Sequence, residues 1–241
     1  MDRLAATLLA PLLLAQGSWA RRRALQMNPP EGATGGECGR GRPLRLLLVG
    51  DSACAGVGVT CREQAMVGLL LGNLSGDHRL YWRLHAESGK TSAQALTELA
   101  VRHPEPFDLA VSTLGVNDVT SSLSGRRWLG RQRQLVALLR ERFGVRQVVL
   151  CGLPPMGLMW ALPQPLRGVL AQKARRWDRA LANWAVRQPH CHHLAFSAVG
   201  GRELLAEDGF HPGLLGHALW AKRLANCIRQ LESQPRLRCH Q

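Results

Sequence analysis

The stretch that most constrains the fold of this chain is residues 44–52, LRLLLVGDS. Its apolar run, broken only by Arg45 and ended by a glycine, is typical of a short strand that is buried on both faces of a parallel sheet. Gly50 and Asp51 then turn the chain sharply, so Ser52 follows the carboxyl end of the strand. Open α/β sheets bind their ligands at that end. We therefore predict an α/β fold in which Ser52 faces a binding crevice.

Beyond residue 52, apolar patterns with the period of a strand and of a helix alternate along the chain. The predicted strands are 44–49, 80–86, 108–114, 147–151 and 193–196, and the predicted helices are 61–73, 91–102, 128–142, 166–186 and 214–231. Strands that alternate with helices favour a parallel sheet wrapped by helices. We expect one domain over residues 44–231, built on such a sheet.

The N-terminal part of the chain differs in composition from this domain. Residues 4–15 are apolar, and a run of three arginines follows at 21–23. The apolar run is too short to span a bilayer, and it suits either a signal peptide or an interfacial anchor with its arginines against anionic lipid. Residues 1–23 therefore indicate either export to the periplasm or association with the cytoplasmic side of a membrane. Residues 24–43, rich in Gly and Pro, are interpreted as a linker, and residues 232–241 as a tail.

The chain carries a formal charge of +14, and Lys90, Lys173 and Lys222 are its only lysines among 31 basic residues. A basic surface attracts anionic membranes or nucleic acid, but the arginines are spread along the predicted helices, which favours a compositional bias. With one Tyr and four Phe, the chain has little from which to build a base-stacking platform. We expect no nucleic-acid partner, and an anionic membrane surface stays open as a partner.

Four polar motifs lie where this fold would bring them together. GDS ends at Ser52 after the first strand, Gly89 follows the second strand, GVND at 115–118 follows the third, and DGFHP at 208–212 precedes the last helix. Loops that follow parallel strands gather at one edge of the sheet, so these motifs can converge on one crevice. A serine hydroxyl is a poor nucleophile unless an imidazole takes its proton.

Together and in this order, the four motifs resemble those of the SGNH (GDSL-type) hydrolases over most of the chain. The resemblance implies a flavodoxin-like fold, that is, a three-layer α/β/α sandwich with a central parallel sheet. It also implies hydrolysis of esters or thioesters without a metal or other cofactor. It implies Ser52 as the nucleophile, His211 as the base and Asp208 as the carboxylate that orients the base. It also implies an oxyanion hole formed by the N–H groups of Ser52 and Gly89 and the side chain of Asn117.

Several nearby residues have other interpretations. His217 is the rival base, although its place within the last helix favours a supporting role. Asp118 is interpreted as a helix cap, and Asp51 as a residue that bonds local backbone and holds the turn. Residues 190–193, HCHH, look like a metal cluster, but adjacent residues in an extended segment point to opposite faces, and no second His/Cys pair stands at ligand spacing. We expect no metal site.

The sequence therefore predicts a serine hydrolase that cleaves small acyl esters through an acyl-enzyme, as an esterase, a lipase or a lysophospholipase, with thioesters as a further substrate class. The apolar loop at 152–163 is interpreted as a wall for an acyl chain or another hydrophobic substrate. Two alternatives stay open. One is a carbohydrate O-acetylesterase, and the other is a non-catalytic basic protein that binds membranes or nucleic acid on the same fold.

Overall fold

A computed structural model describes residues 3–24, 27–196 and 201–233 of the chain. Its strands are β1 (Gly35–Cys38), β2 (Arg42–Gly50), β3 (His78–Ala86), β4 (Leu109–Ser112), β5 (Gln147–Cys151) and β6 (Cys191–Leu194). They form one six-stranded sheet in the order β1-β3-β2-β4-β5-β6, in which β2 to β6 are parallel and β1 pairs antiparallel with β3. The five parallel strands follow the 2-1-3-4-5 order of flavodoxin-like folds. The predicted parallel sheet is confirmed, with one antiparallel strand added at its edge.

Eight α-helices accompany the sheet in the described residues. They are α1 (Arg3–Ala24), α2 (Ser52–Ala55), α3 (Met66–Leu74), α4 (Ser92–Val101), α5 (Val116–Val119), α6 (Gly125–Phe143), α7 (Leu166–Ala185) and α8 (Leu214–Ser233). The helix predicted at 61–73 begins later, at Met66, because Arg62–Gln64 forms a 3₁₀ turn and Ala65 is extended. The other four predicted helices lie within a few residues of α4, α6, α7 and α8.

Strand β2 shows why the molecule has three layers. Its side chains alternate, so Leu47 and Val49 enter one core while Leu46 and Leu48 enter the other, and all four are almost fully buried. The first core is closed by α4, α6 and α7, and the second by α3 and α8. A sheet that is apolar on both faces needs helices on both faces. The expected α/β/α sandwich is thus confirmed.

The connections around β2 place a crevice at one edge of the sheet. The chain leaves β2 for β3 on one side and then crosses to β4 on the other side, so the strand order reverses between β2 and β4. Ligands of open α/β sheets bind at such a switch point, beyond the carboxyl ends of the strands. The short helices α2 and α5 begin there, directly after β2 and β4 respectively.

The segment before β2 is more ordered than its composition predicts. Residues 24–43, interpreted as a linker, contain β1, in which Gly35 pairs with Arg83 and Cys38 with Leu80. Backbone hydrogen bonds alone can add such a strand, so the apolar periodicity used to find strands does not detect it. Most of the predicted tail, 234–241, lies outside the described residues.

The N-terminal helix α1 lies against α7. Within the described part of the chain, no helix is long and apolar enough to cross a membrane.

Candidate active site

Ser52 is the first residue of α2 and stands immediately after β2. Asp51 caps this helix, since its side chain accepts a hydrogen bond from the N–H of Ala53 at 3.2 Å. The carboxyl group of Asp51 is buried, and burial raises its pKa to about 6. Asp51 therefore bonds local backbone, as its position in the motif predicts, and fixes the turn that presents Ser52.

His211 connects Ser52 to Asp208. Its Nε2 lies 2.9 Å from Oγ of Ser52, and its Nδ1 lies 2.5 Å from Oδ2 of Asp208. An ionised carboxylate only accepts hydrogen bonds, so Nδ1 carries the proton and Nε2 has the lone pair that faces the serine hydroxyl. The structure thus joins the three residues predicted as nucleophile, base and orienting carboxylate in one hydrogen-bonded chain.

The turn between Asp208 and His211 is built to hold the carboxylate. Oδ1 of Asp208 accepts hydrogen bonds from the N–H groups of Phe210 and His211, both at 3.0 Å. Burial favours a higher pKa for Asp208, but the hydrogen bond from the His211 ring, the two backbone hydrogen bonds and the charge that this ring carries when it is protonated outweigh burial and lower the pKa. Gly209 makes the turn at φ +66°, and a Cβ there would lie 2.4 Å from the ring of Trp160. The carboxylate is consequently ionised and fixed in place.

His217 has a different environment from His211. It is fully buried, its Nδ1 accepts a hydrogen bond from the N–H of Met66 at 3.1 Å, and its Nε2 donates to the carbonyl of Val57 at 3.2 Å. Burial lowers its pKa to about 4, so the ring is neutral near pH 7. Both nitrogens are engaged with backbone groups, which gives His217 a structural role and leaves it no nitrogen for the proton of a nucleophile.

Gly89 and Asn117 line the same cavity as Ser52. Gly89 has φ +80°, a conformation that side chains rarely adopt, and it follows β3 in a tight turn. The Asn117 amide donates one hydrogen bond from Nδ2 to the carbonyl of Lys90 at 3.1 Å. An amide NH₂ has two donors, so a second N–H is left for the cavity. The three residues predicted to form an oxyanion hole therefore meet at one place.

Asp118 has a role that the sequence did not reveal. It is fully buried, and Oδ2 accepts hydrogen bonds from the N–H of Ser92 at 2.9 Å and from its hydroxyl at 2.8 Å. The Ser92 hydroxyl in turn accepts one from Gln132 at 2.8 Å, and Arg131 lies 3.5 Å from Oδ1. Asp118 therefore accepts the first N–H of the neighbouring helix α4, whose N-cap residue is Thr91, and does not cap its own short helix, whose N-cap position is Gly115.

The cavity at Ser52 has a volume of about 130 Å³ and an apolar side. Leu162, Leu166, Leu170 and Phe210 line it, together with Gly17 and Ala20 of α1. From the loop at 152–163, interpreted as an acyl wall, only Leu162 is among the residues that line this cavity. Pro154, Pro155, Leu158 and Met159 line a neighbouring apolar cavity of about 90 Å³ that shares Phe210. The apolar stripe of α7 is typical of a core helix, so its sequence gave no sign of a second role for Leu166 and Leu170.

In the HCHH segment, residues 190–193, two histidines form hydrogen bonds with side chains of other elements. Nε2 of His192 lies 2.7 Å from Oε1 of Gln147, and Nε2 of His193 lies 2.9 Å from Oδ1 of Asp178. Among the residues described, no three His, Cys, Asp or Glu side chains cluster as metal ligands would.

Comparison with known proteins identifies the family of the chain. Residues 48–219 match the sequence model of the GDSL-like lipase/acylhydrolase family, and the chain belongs to that family. The chain is 30% identical over 197 residues to the GDSL-like esterase Rv1075c of Mycobacterium tuberculosis. The match covers 77% of this chain but spans only 62% of the length of that relative.

Solved structures of proteins with different names share the fold of this chain, as two examples illustrate. A lipolytic protein of the G-D-S-L family from Veillonella parvula is 15% identical, with a TM-score of 0.60, over 80% of this chain and 99% of that one. A carbohydrate esterase family 2 enzyme from Corynascus thermopiles is 16% identical, with a TM-score of 0.62, over 83% of this chain and 68% of that one. At these identities the likeness shows the fold alone, which does not select a substrate.

Proposed function

We propose that the protein hydrolyses carboxylic esters through an acyl-enzyme on Ser52. The observation that carries this proposal is the pair of hydrogen bonds that join Ser52 Oγ, His211 and Asp208. An imidazole held in this tautomer, with its free nitrogen on a serine hydroxyl, is the arrangement that makes serine nucleophilic. Membership of the GDSL-like lipase/acylhydrolase family supports the same chemistry.

In this mechanism Ser52 Oγ attacks the acyl carbon while its proton passes to Nε2 of His211. The oxyanion that forms accepts hydrogen bonds from the N–H groups of Ser52 and Gly89 and from the amide of Asn117. As the intermediate collapses, the C–O bond to the alcohol breaks and the alcohol takes the proton from Nε2. A water molecule, which gives a proton to Nε2 of His211, then attacks the acyl carbon. The bond from that carbon to Ser52 Oγ breaks, Oγ takes the proton back from Nε2, and the acid is released.

We further propose that the substrates carry acyl groups longer than acetyl. The leucines and Phe210 beside Ser52 would contact several methylene groups of a chain, and each buried methylene contributes about 0.8 kcal/mol. A carbohydrate O-acetylesterase needs room for only a methyl group on the acyl side, so this lining favours the esterase or lipase alternative. Oxygen esters and thioesters share the same carbonyl chemistry and would both be attacked.

Kinetics on aryl esters test the proposal. We expect Ser52→Ala and His211→Ala to lower kcat/KM for an aryl butyrate by at least about 10³-fold, because either change breaks the relay. His103→Ala, at an exposed histidine, is the control and should keep wild-type activity. Circular dichroism should show all variants folded. Wild-type rates in Ser52→Ala would contradict the proposal, and salt-sensitive binding to vesicles or nucleic acid without hydrolysis would favour the non-catalytic alternative.

We also propose that an anionic membrane surface is a partner of α1. In α1, Leu14 is 75% exposed and Leu12 is 46% exposed, and Arg22 is exposed near the end of the helix. Apolar side chains beside arginine suit the interface of a bilayer. Cosedimentation with phosphatidylglycerol vesicles should exceed that with phosphatidylcholine vesicles and should fall in a Leu12→Ser/Leu14→Ser variant. Equal sedimentation of the two proteins with both vesicle types would exclude this partner.

A further inference from the structure

The inner face of α1 is a regular helical stripe. Leu13, Gln16, Gly17 and Ala20 stand at positions i, i+3, i+4 and i+7, which lie on one side of a helix. Leu13 and Ala20 pack against the core that α7 covers. The face of α1 that meets the domain is therefore defined by four neighbouring residues.

Gln16 attaches this stripe to the start of α7 by two hydrogen bonds. Its Nε2 donates to the carbonyl of Gln164 at 2.8 Å, and its Oε1 accepts from the N–H of Leu166 at 3.3 Å. Leu166 is the first residue of α7, and the first N–H groups of a helix have no partner within it. Gln16 satisfies one of them, so the two helices are held in one register.

That register brings Gly17 and Ala20 to the cavity that contains Ser52. Leu166 and Leu170, on α7, line the same cavity. No heavy atom lies within 4 Å of the position that a Cβ would take at Gly17. A side chain at position 17 would therefore extend into free space rather than into the protein.

We infer that α1 is a wall of the acyl pocket and that Gly17 determines how long an acyl chain the pocket accepts. The inference rests on the proposed function, because it assigns the cavity at Ser52 to the acyl group. Neither Gly17 nor Ala20 takes part in the relay, so a larger residue at position 17 changes the space for the acyl chain and not the hydrogen bonds of the relay. It takes the space that a longer chain would fill.

The test compares Gly17→Phe in the full chain with the wild type on aryl acetate, butyrate and octanoate. We expect the ratio of kcat/KM for the octanoate to kcat/KM for the acetate to fall about 10- to 100-fold, the usual effect of losing pocket contacts. Gly130→Phe is the matched control. Gly130 also lies within a helix, α6, and a Cβ there also meets no heavy atom within 4 Å. Its chain-length profile should equal that of the wild type.

A second variant makes the test independent of folding. Gly17→Cys is purified in its folded form and then alkylated with a maleimide, with equally treated wild type as the reference because the chain has other cysteines. Octanoate hydrolysis should fall after alkylation in the variant and not in the wild type.

The possible failures are distinguishable. An unchanged chain-length profile in Gly17→Phe and in alkylated Gly17→Cys, with wild-type activity, would overturn the role of α1 and leave the proposed function standing. No hydrolysis of any ester by the wild type would refute the proposed function itself.

Discussion

The carboxylate of Asp118 accepts hydrogen bonds from both the backbone N–H and the hydroxyl of Ser92, and all of these groups are buried. Asp118 directly follows Asn117, and Ser92 stands three residues after Gly89. One carboxylate therefore ties the loop that follows β3 to the helix that follows β4. In the proposed mechanism these two segments supply two of the three oxyanion donors, so Asp118 is a positioning residue.

Asp118→Ala should therefore impair both stability and catalysis. Removing the carboxylate leaves the Ser92 N–H and the nearby Arg131 without their buried partner, which should cost about 3 kcal/mol of the free energy of unfolding. We expect kcat to fall about 10- to 100-fold, a fraction of what two displaced donors would contribute. Urea denaturation and steady-state kinetics measure the two effects.

Asp118→Asn is the conservative variant with which Asp118→Ala is compared. Its amide oxygen can take the place of Oδ2 and accept both hydrogen bonds from Ser92, so we expect it to recover most of kcat. If Asp118→Ala had wild-type kcat, the positioning role would be wrong.

Asn117→Ala tests the side-chain donor directly. Loss of one oxyanion donor usually lowers kcat by about 10²- to 10³-fold with little change in KM, because the interaction forms only in the transition state. Asn73→Ala, at an exposed asparagine on α3, is the matched control and should behave as the wild type. A rise in KM with unchanged kcat would instead place Asn117 in ground-state binding.

Asp208→Asn should lower kcat by about 10²- to 10⁴-fold, because an amide no longer enforces the Nδ1–H tautomer of His211. The pKa of Asp208 lies below its ordinary value of 3.8, so the carboxylate is ionised at every pH above that value. Its contribution to stability is present above pH 3.8 and is lost only as the pH falls through the lower, folded-state pKa. Asp208 consequently does not titrate near pH 4.5. If the pH–rate profile of the wild type declines there, we expect the profile of Asp208→Asn to show the same decline.

The lowered pKa of His217 predicts how the free energy of unfolding depends on pH. Its pKa is about 4 in the folded protein and 6.5 as an ordinary histidine, so the unfolded chain binds the extra proton first as the pH falls. Between pH 6.5 and 4 this residue alone should remove up to about 3 kcal/mol of stability. Urea denaturation at several pH values measures the slope.

His217→Asn is the comparison, since its side-chain oxygen can still accept the N–H of Met66. The variant should be less stable at pH 7 and should lose less stability than the wild type between pH 6.5 and 4.5. Equal slopes in the two proteins would show that His217 does not titrate as described.

Local patterns were enough to predict the five parallel strands and the helices α3, α4, α6, α7 and α8 that cover them. Residues 147–151 were predicted as a strand and are β5. A short, continuous apolar run suits a strand that helices cover on both faces. The same patterns, with the family resemblance, named Ser52, Gly89, Asn117, Asp208 and His211, and the structure brings these five residues together. Whether they perform the predicted roles is a matter for the experiments above.

What the sequence could not provide are relations between distant segments. The apolar residues of α1 fit a signal or an anchor as well as a helix that packs on α7. The packed arrangement is seen only in the structure, in the contacts of Leu13 and Ala20 and the hydrogen bonds of Gln16. Asp118 looks like the cap of its own helix, because nothing local shows that Ser92 lies against it. Strand β1 contains glycines and lacks the apolar alternation by which strands are recognised.

The central claim is that Ser52 carries the acyl group, and trapping the acyl-enzyme tests it most directly. The full chain is mixed rapidly with an aryl octanoate and quenched in acid, and its peptides are analysed by mass spectrometry. We predict an octanoyl adduct on the peptide that contains Ser52, formed with the first release of the aryl alcohol and absent in His211→Ala on the same time scale. Rapid release of the aryl alcohol with an adduct on another residue, or with none at any time, would contradict the account.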